Sequence, residues 1–145
     1  MRDFNDMKKT AMDECVKAGV EYRIKHLIEV LNTLPGIFTT SSCGGHEIIE
    51  NPMQSSADGF NVDLVVDSEK GGRQSLTLIT QMAWITGGKN ILIIAWHTQS
   101  GNPVYSIEGK NNASPDKLAK ALEIAIDIQK GRLKAQGKDP FYWWR

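Results

Sequence analysis

Leu31-Asn32-Thr33-Leu34-Pro35-Gly36-Ile37-Phe38-Thr39-Thr40-Ser41-Ser42-Cys43-Gly44-Gly45-His46 is the stretch in which the chain passes from helix to sheet. Ahead of it, Val20, Ile24, Leu27, Ile28 and Leu31 recur at the spacing of one helical face. Leu34-Pro35-Gly36 ends that helix, because proline removes a backbone donor and Pro-Gly supplies the angles of a tight turn. Ile37 to Cys43 is β-branched and rich in Ser and Thr, which predicts a strand. Gly44-Gly45 breaks it, and His46 to Asn51 reads as a returning strand, so the pair reads as a hairpin around a glycine turn.

Working outward, Phe4, Met7, Ala11 and Cys15 predict a first helix. On the other side, Pro52 to Gly59 is a polar loop, and Phe60, Val62, Leu64 and Val66 alternate with Asn61, Asp63, Val65 and Asp67 as in a strand buried on one face. Gly71 and Gly72 open a helix with Leu76, Ile79, Met82 and Ala83 on one side, closed by Gly87-Gly88. Ile91 to Trp96 is continuously apolar, which predicts a central strand covered on both faces, and Val104 to Glu108 is its shorter partner across Ser100-Gly101. The last helix starts at Ser114-Pro115-Asp116, a capping serine with proline in the first turn. It is expected to bury Leu118, Ala121, Leu122, Ala125 and Ile128, and turns basic at Lys130, Arg132 and Lys134 before Gly137 and Pro140. The order is ααβββαββα. This predicts an α/β (α+β) domain over residues 1–139, with a faint repeat of strands followed by a helix and an aromatic tail at 140–145.

A chain of 145 residues with 41% apolar residues can bury a core without staples. Its 17 Lys and Arg balance 17 Asp and Glu, so no whole-molecule field draws it to nucleic acid or membrane, and any such contact needs a local patch. Cys15 and Cys43 are far apart, which fits a reducing compartment rather than a disulfide framework. No apolar run reaches the length that spans a bilayer and the N-terminus is charged, so the expectation is a cytoplasmic protein with no membrane partner.

Chemistry concentrates in Thr39, Thr40, Ser41, Ser42, Cys43, Gly44, Gly45 and His46. Hydroxyls there donate and accept, and the glycines let backbone N–H groups approach a ribose or an anion. The same pattern also serves an ordinary turn. Cys43 has only His46 nearby as a base, which favours a small buried side chain over a nucleophile. His26, His46 and His97 show no H-x-x-x-H or paired-cysteine spacing, so no metal is expected. Asp63 and Asp67 read as the solvated side of their strand. Lys89-Asn90 offers a cation and an amide beside a strand start.

Leu31-Asn32 followed by Ile37-Phe38-Thr39-Thr40-Ser41-Ser42-Cys43-Gly44-Gly45-His46 resembles the T-T-S-S-C-x-G signature of the tRNA wybutosine-synthesising protein 3 family. Phe4 to Lys8 is similar to that family's F-x-x-x-K, and Ser75 to Ile85 with Gly87-Gly88-Lys89-Asn90-Ile91-Leu92-Ile93 is similar to its helix and G-F-R-N-S-G-I segment. The resemblance runs over residues 4–136. It implies duplicated βββαα-type units closing a barrel-like mixed sheet between helices. It also implies S-adenosylmethionine as cofactor, methylation of a wyosine-type base of phenylalanine tRNA, and a pocket formed by residues 39–46 with Lys89-Asn90. The family's arginine after the glycine is His46 here, its R-N is Lys89-Asn90, and its W-L-x-x-S-H segment is shortened to 52–59.

Those departures, and a neutral chain whose basic residues cluster only at Lys130, Arg132, Lys134, Lys138 and Arg145, set the functional expectation. It is a protein that holds a nucleotide- or nucleoside-type ligand without obligatory chemistry, as a small phage-like protein would in sequestering a nucleotide signal. Methyl transfer to tRNA is the alternative, an interaction module the second. No catalytic residue is singled out. Phe141-Tyr142-Trp143-Trp144 predicts docking of the tail, either with Trp143 or Trp144 filling a pocket of a second subunit in a homo-oligomer or as a lid over the apolar helix face of its own chain.

Overall fold

The computed structural model describes residues 3–46, 50, 52 and 54–145. Helix α1 spans Phe4–Ala18, and the Asp3 carboxylate caps it by accepting the Asn5 and Asp6 N–H groups at 2.8 and 3.4 Å. Helix α2 spans Tyr22–Thr33 and buries Ile24, Leu27, Ile28 and Leu31. The chain then turns at Leu34-Pro35-Gly36, with Gly36 at φ 69°, into strand β1, Ile37–Cys43. Strand β2 is Phe60–Val66, α3 is Lys70–Gly87, β3 is Ile91–Gln99, β4 is Asn102–Gly109 and α4 is Pro115–Ala135, with short 3-10 turns at Gly88–Asn90 and Tyr142–Trp144. Ser114 caps α4 through the Lys117 N–H at 3.1 Å, with Pro115 in the first turn. No helix among the described residues is long and apolar enough to cross a membrane.

The strands form one antiparallel sheet in the order β1-β2-β4-β3. It is an α+β architecture as expected, but the sheet is open and purely antiparallel rather than barrel-like and mixed. Four strands are too few to curl closed, and among the described residues β1 and β3 are the edges. Among the described residues β1 pairs with β2, not with a returning strand at His46 to Asn51. His46 makes a single parallel bridge to Ser56, and residues 47–49 and 51 lie outside those described. What repeats is β-β-helix: β1-β2-α3 and β3-β4-α4 meet at the Leu64–Tyr105 pair of the two central strands. Each edge strand carries a bulge opposite that pair, between Thr39 and Ser41 in β1 and between Ala95 and His97 in β3.

Alternation gives the sheet two unlike faces. Ile37, Phe60, Val62, Leu64, Val66, Ile91 and Ile107 point to the face covered by α2, α3 and α4 and form the main core with Leu118 and Leu122. On the other face α1 covers only one corner, where Met7 packs on Phe38, Val65 and Val104 and the Phe4 ring lies 5.1 Å from that of Phe38. Among the described residues no helix covers the rest of this face. Two expectations are corrected by that layout. The apolar run Ile91 to Trp96 is an edge strand, not a central one: Ile91 is buried on the helix side, while Leu92, Ile94 and Trp96 are exposed on the uncovered side. In α4, Leu118 and Leu122 are buried but Ile128 is 51% exposed, because the buried stripe passes instead through Ala119 to Leu133.

Candidate functional site

The free edge of β1, between α1 and α2, borders a cavity of about 640 Å³. One wall is Thr39, Thr40, Ser41 and Ser42, with Gln99 and Ser100 from the β3–β4 turn; the other is Met7, Thr10, Ala11, Glu14 and Cys15 of α1, closed by Val20 and Ile28. Local structure aims these groups. Asn32, buried at the end of α2, accepts the Thr39 N–H at 3.0 Å and donates to Thr39 Oγ1 at 3.0 Å and to Ile28 O at 3.1 Å, fixing the strand to the helix. The bulge after Thr39 then shifts the alternation by one, so Ser41 turns to the open face and donates to Asp63 Oδ2 at 2.8 Å. As an edge strand, β1 also keeps one row of backbone N–H and C=O groups that the sheet does not pair.

A second cleft, of about 330 Å³, lies on the open face beside the first. Asp63, Asn61, Ser106 and Glu108 form its floor, Leu92 and Trp96 one bank, and Ser55 and Ser56 the other. The Ser41–Asp63 hydrogen bond joins the two, since Ser41 lines the first and Asp63 the second. Asp63 is therefore a partner of the hydroxyl segment rather than merely a solvated strand residue. Trp96, 55% exposed, brings a large aromatic side chain to this cleft.

The residues singled out in the sequence divide into three groups. Thr39, Thr40, Ser41 and Ser42 line the larger cavity. Cys43, Gly44, Gly45 and His46 turn away from it, toward the start of α2. There Gly44 N–H donates to Glu21 Oε2 at 2.9 Å, and His46 Nε2 is 3.3 Å from Glu21 Oε1. Lys89-Asn90 lies at the same end of the sheet as Cys43, but on the opposite edge. Two strands intervene, a separation of about 14 Å at ordinary strand spacing. Asn90 accepts from Asn111 Nδ2 at 3.1 Å, and its carbonyl accepts the Lys110 N–H at 2.9 Å, so it shapes the β4–α4 turn. Glu14, Glu21, Asn32 and Trp96 were not legible as site residues. Glu14, Glu21 and Trp96 come from elements remote in sequence, whereas Asn32 stands only seven residues before Thr39 and its part in holding the strand shows only in the fold.

The fold and its paired clefts define an α+β domain with a helix-walled cavity on a free sheet edge. No protein-family model and no curated protein matches the sequence. Among solved structures the chain is similar to the PH1069 protein from Pyrococcus horikoshii, at 17% identity, with 94% of this chain and 96% of that chain covered and a TM-score of 0.47.

Proposed function

We propose that the protein binds a nucleoside-type small molecule in the cavity between α1 and β1, and that the ligand is uncharged or cationic there rather than multiply phosphorylated. The lining carries this reading. Glu14 and the Cys15 thiol are the ionisable groups among its described residues, with no lysine, arginine or histidine, so a polyphosphate would enter without a counter-charge. Six hydroxyl residues, Thr10, Ser100 and Thr39 to Ser42, and the outer edge of β1 supply the donors and acceptors that a base edge and a ribose require. Met7, Ala11, Val20 and Phe38 supply apolar surface for the base, and the volume is that of a small-molecule site. An adenosyl compound such as S-adenosylmethionine, whose sulfonium and ammonium suit Glu14, fits this chemistry. Holding such a ligand without chemistry would serve to sequester it.

Methyl transfer is the second reading, and the adjoining cleft favours it: a base stacked on Trp96 would lie across the Ser41–Asp63 bond from a methyl donor. Calorimetric titration of the whole protein with adenosine, S-adenosylmethionine and ATP tests the first. Binding of adenosine or S-adenosylmethionine at least about tenfold tighter than ATP is expected, about 1.4 kcal/mol of discrimination. Thr40→Trp, at an exposed position on the rim, should abolish binding without lowering the melting temperature. Tighter binding of ATP than of adenosine, or no binding of any of the three, would overturn it. Labelled methyl transfer to phenylalanine tRNA above a heat-killed control would install the second reading.

A further inference from the structure

We propose that Glu21, Cys43 and His46 form a binding site for a zinc-type divalent transition metal, tying the start of α2 to the end of β1 and to the loop that leads into β2. The Cys-Gly-Gly-His turn makes the first two ligands. Gly45 takes φ 104°, a left-handed value open to glycine, and so brings His46 back toward Cys43. Glu21 makes the third. It stands at the N-cap of α2, yet its side chain makes no capping hydrogen bond to that helix and points across to the turn instead. One ligand atom from each of the three lies within 4.8 Å of the others.

Geometry and charge favour a metal over other uses of these groups. Zinc bonds of about 2.0–2.3 Å in a tetrahedron put neighbouring ligand atoms roughly 3.3–3.6 Å apart. The His46 Nε2 to Glu21 Oε1 separation of 3.3 Å already has that value. Outer hydrogen bonds that orient ligands are also in place: Gly44 N–H holds Glu21 Oε2 at 2.9 Å, and Ser55 N–H points at Cys43 Sγ at 3.4 Å. A thiolate and a carboxylate together neutralise a dication, and the imidazole with the sulfur selects zinc or cobalt over magnesium or calcium. Arg23 lies beside Gly45, but its guanidinium is engaged by Ala57 O. A nucleophilic role for Cys43 is disfavoured because the residue is 5% exposed and lines neither cleft. Three protein ligands leave the fourth position to water.

Titration of the reduced, full-length protein with cobalt(II) tests the site. One ion per chain is expected, with a thiolate-to-cobalt charge-transfer band that zinc(II) displaces. Cys43→Ser should remove the band, and Glu21→Gln and His46→Gln should each weaken zinc binding at least about tenfold while circular dichroism stays unchanged. The last two side chains are substantially solvent-accessible, so their variants decide the matter even if Cys43→Ser misfolds. His26→Gln, which alters the separate surface cluster with Glu123 and Asp116, should leave binding unchanged. The absence of a stoichiometric thiolate band overturns the proposal, as does undiminished zinc affinity in Glu21→Gln and His46→Gln, or loss of binding in His26→Gln.

Discussion

Single polar residues hold the wall of the cavity in place. Asn32 is buried and uses both ends of its amide on Thr39 and Ile28, so truncating it leaves the Thr39 N–H without an acceptor at an edge strand that has no other. Asn32→Ala should cost about 2–3 kcal/mol in urea unfolding. It should also weaken ligand binding, since the bulge that aims Ser41 begins at Thr39. Lys8 makes a different prediction. Its ammonium donates to Leu34 O at 2.7 Å, but burial lowers its pKa from 10.5 to about 8. Below pH 8 the amine is charged in both folded and unfolded chains, and the folded state carries the desolvation cost. Between about 8 and 10.5 the unfolded chain binds more protons, so this residue's contribution to stability rises with pH across that window. Urea midpoints measured from pH 7 to 10.5 should show the rise in the wild type and a flatter profile in Lys8→Met. An equal slope in both would assign it to other groups.

Among the elements, the helices and β1 were the most legible in the sequence, because the chain marks their boundaries: Gly19 after α1, Leu34-Pro35-Gly36 between α2 and β1, Gly44-Gly45 after β1, Gly87-Gly88 after α3, and Ser114-Pro115 at the start of α4. Strand order was not legible. Ile91 to Trp96 reads as central because its residues are apolar, yet which strand becomes an edge depends on pairing partners that local sequence does not encode. For the candidate site the same division holds. The hydroxyls of 39–42 and the glycine turn are contiguous and could be read, whereas Glu14, Glu21 and Trp96 join them only through the tertiary fold. Gly72 is a further case. Beside the Gly36 turn it packs so closely on Asp67 that a Cβ would overlap that residue's backbone carbonyl. Gly72→Ala should therefore destabilise by about 3 kcal/mol, at the upper end of overpacking costs, because backbone cannot step aside as a side chain does. Gly131, inside α4 with nothing within 4 Å of an added Cβ, is the control. Gly131→Ala should stabilise by about 0.5–1 kcal/mol. Equal effects in the two variants would show that helix propensity, not the close crossing, governs Gly72.

At the scale of the whole molecule, the aromatic tail completes the domain. Trp144 is 3% exposed and belongs to the main core, so the expected reach of this residue into a second subunit is corrected: it fills a space between α3 and α4 of its own chain. Trp143 meets it edge-on at 5.0 Å. The basic end of α4 holds the outer rings, with Lys130 over Phe141 at 5.1 Å and Lys138 over Tyr142 at 4.2 Å, and Arg145 pairs with Asp139 at 2.9 Å. Three of the five basic residues at this end of the chain, Lys130, Lys138 and Arg145, are thereby engaged around the tail. The tail's energetics can be separated from any part in self-association. Trp144→Ala should cost about 3–5 kcal/mol, as for other buried aromatics. Trp144→Phe should cost less, because the buried indole N–H has no hydrogen-bond partner among the described residues and its removal strands nothing. Deleting residues 140–145 removes the same core contact and should lower the melting temperature by roughly 10 °C, at about 2–4 °C per kcal/mol for a chain of this size. Light scattering should give the same mass per particle before and after. A smaller particle with an unchanged melting temperature would instead mean that the rings act mainly between subunits, with the exposed Phe141 and Tyr142 the residues to mutate next.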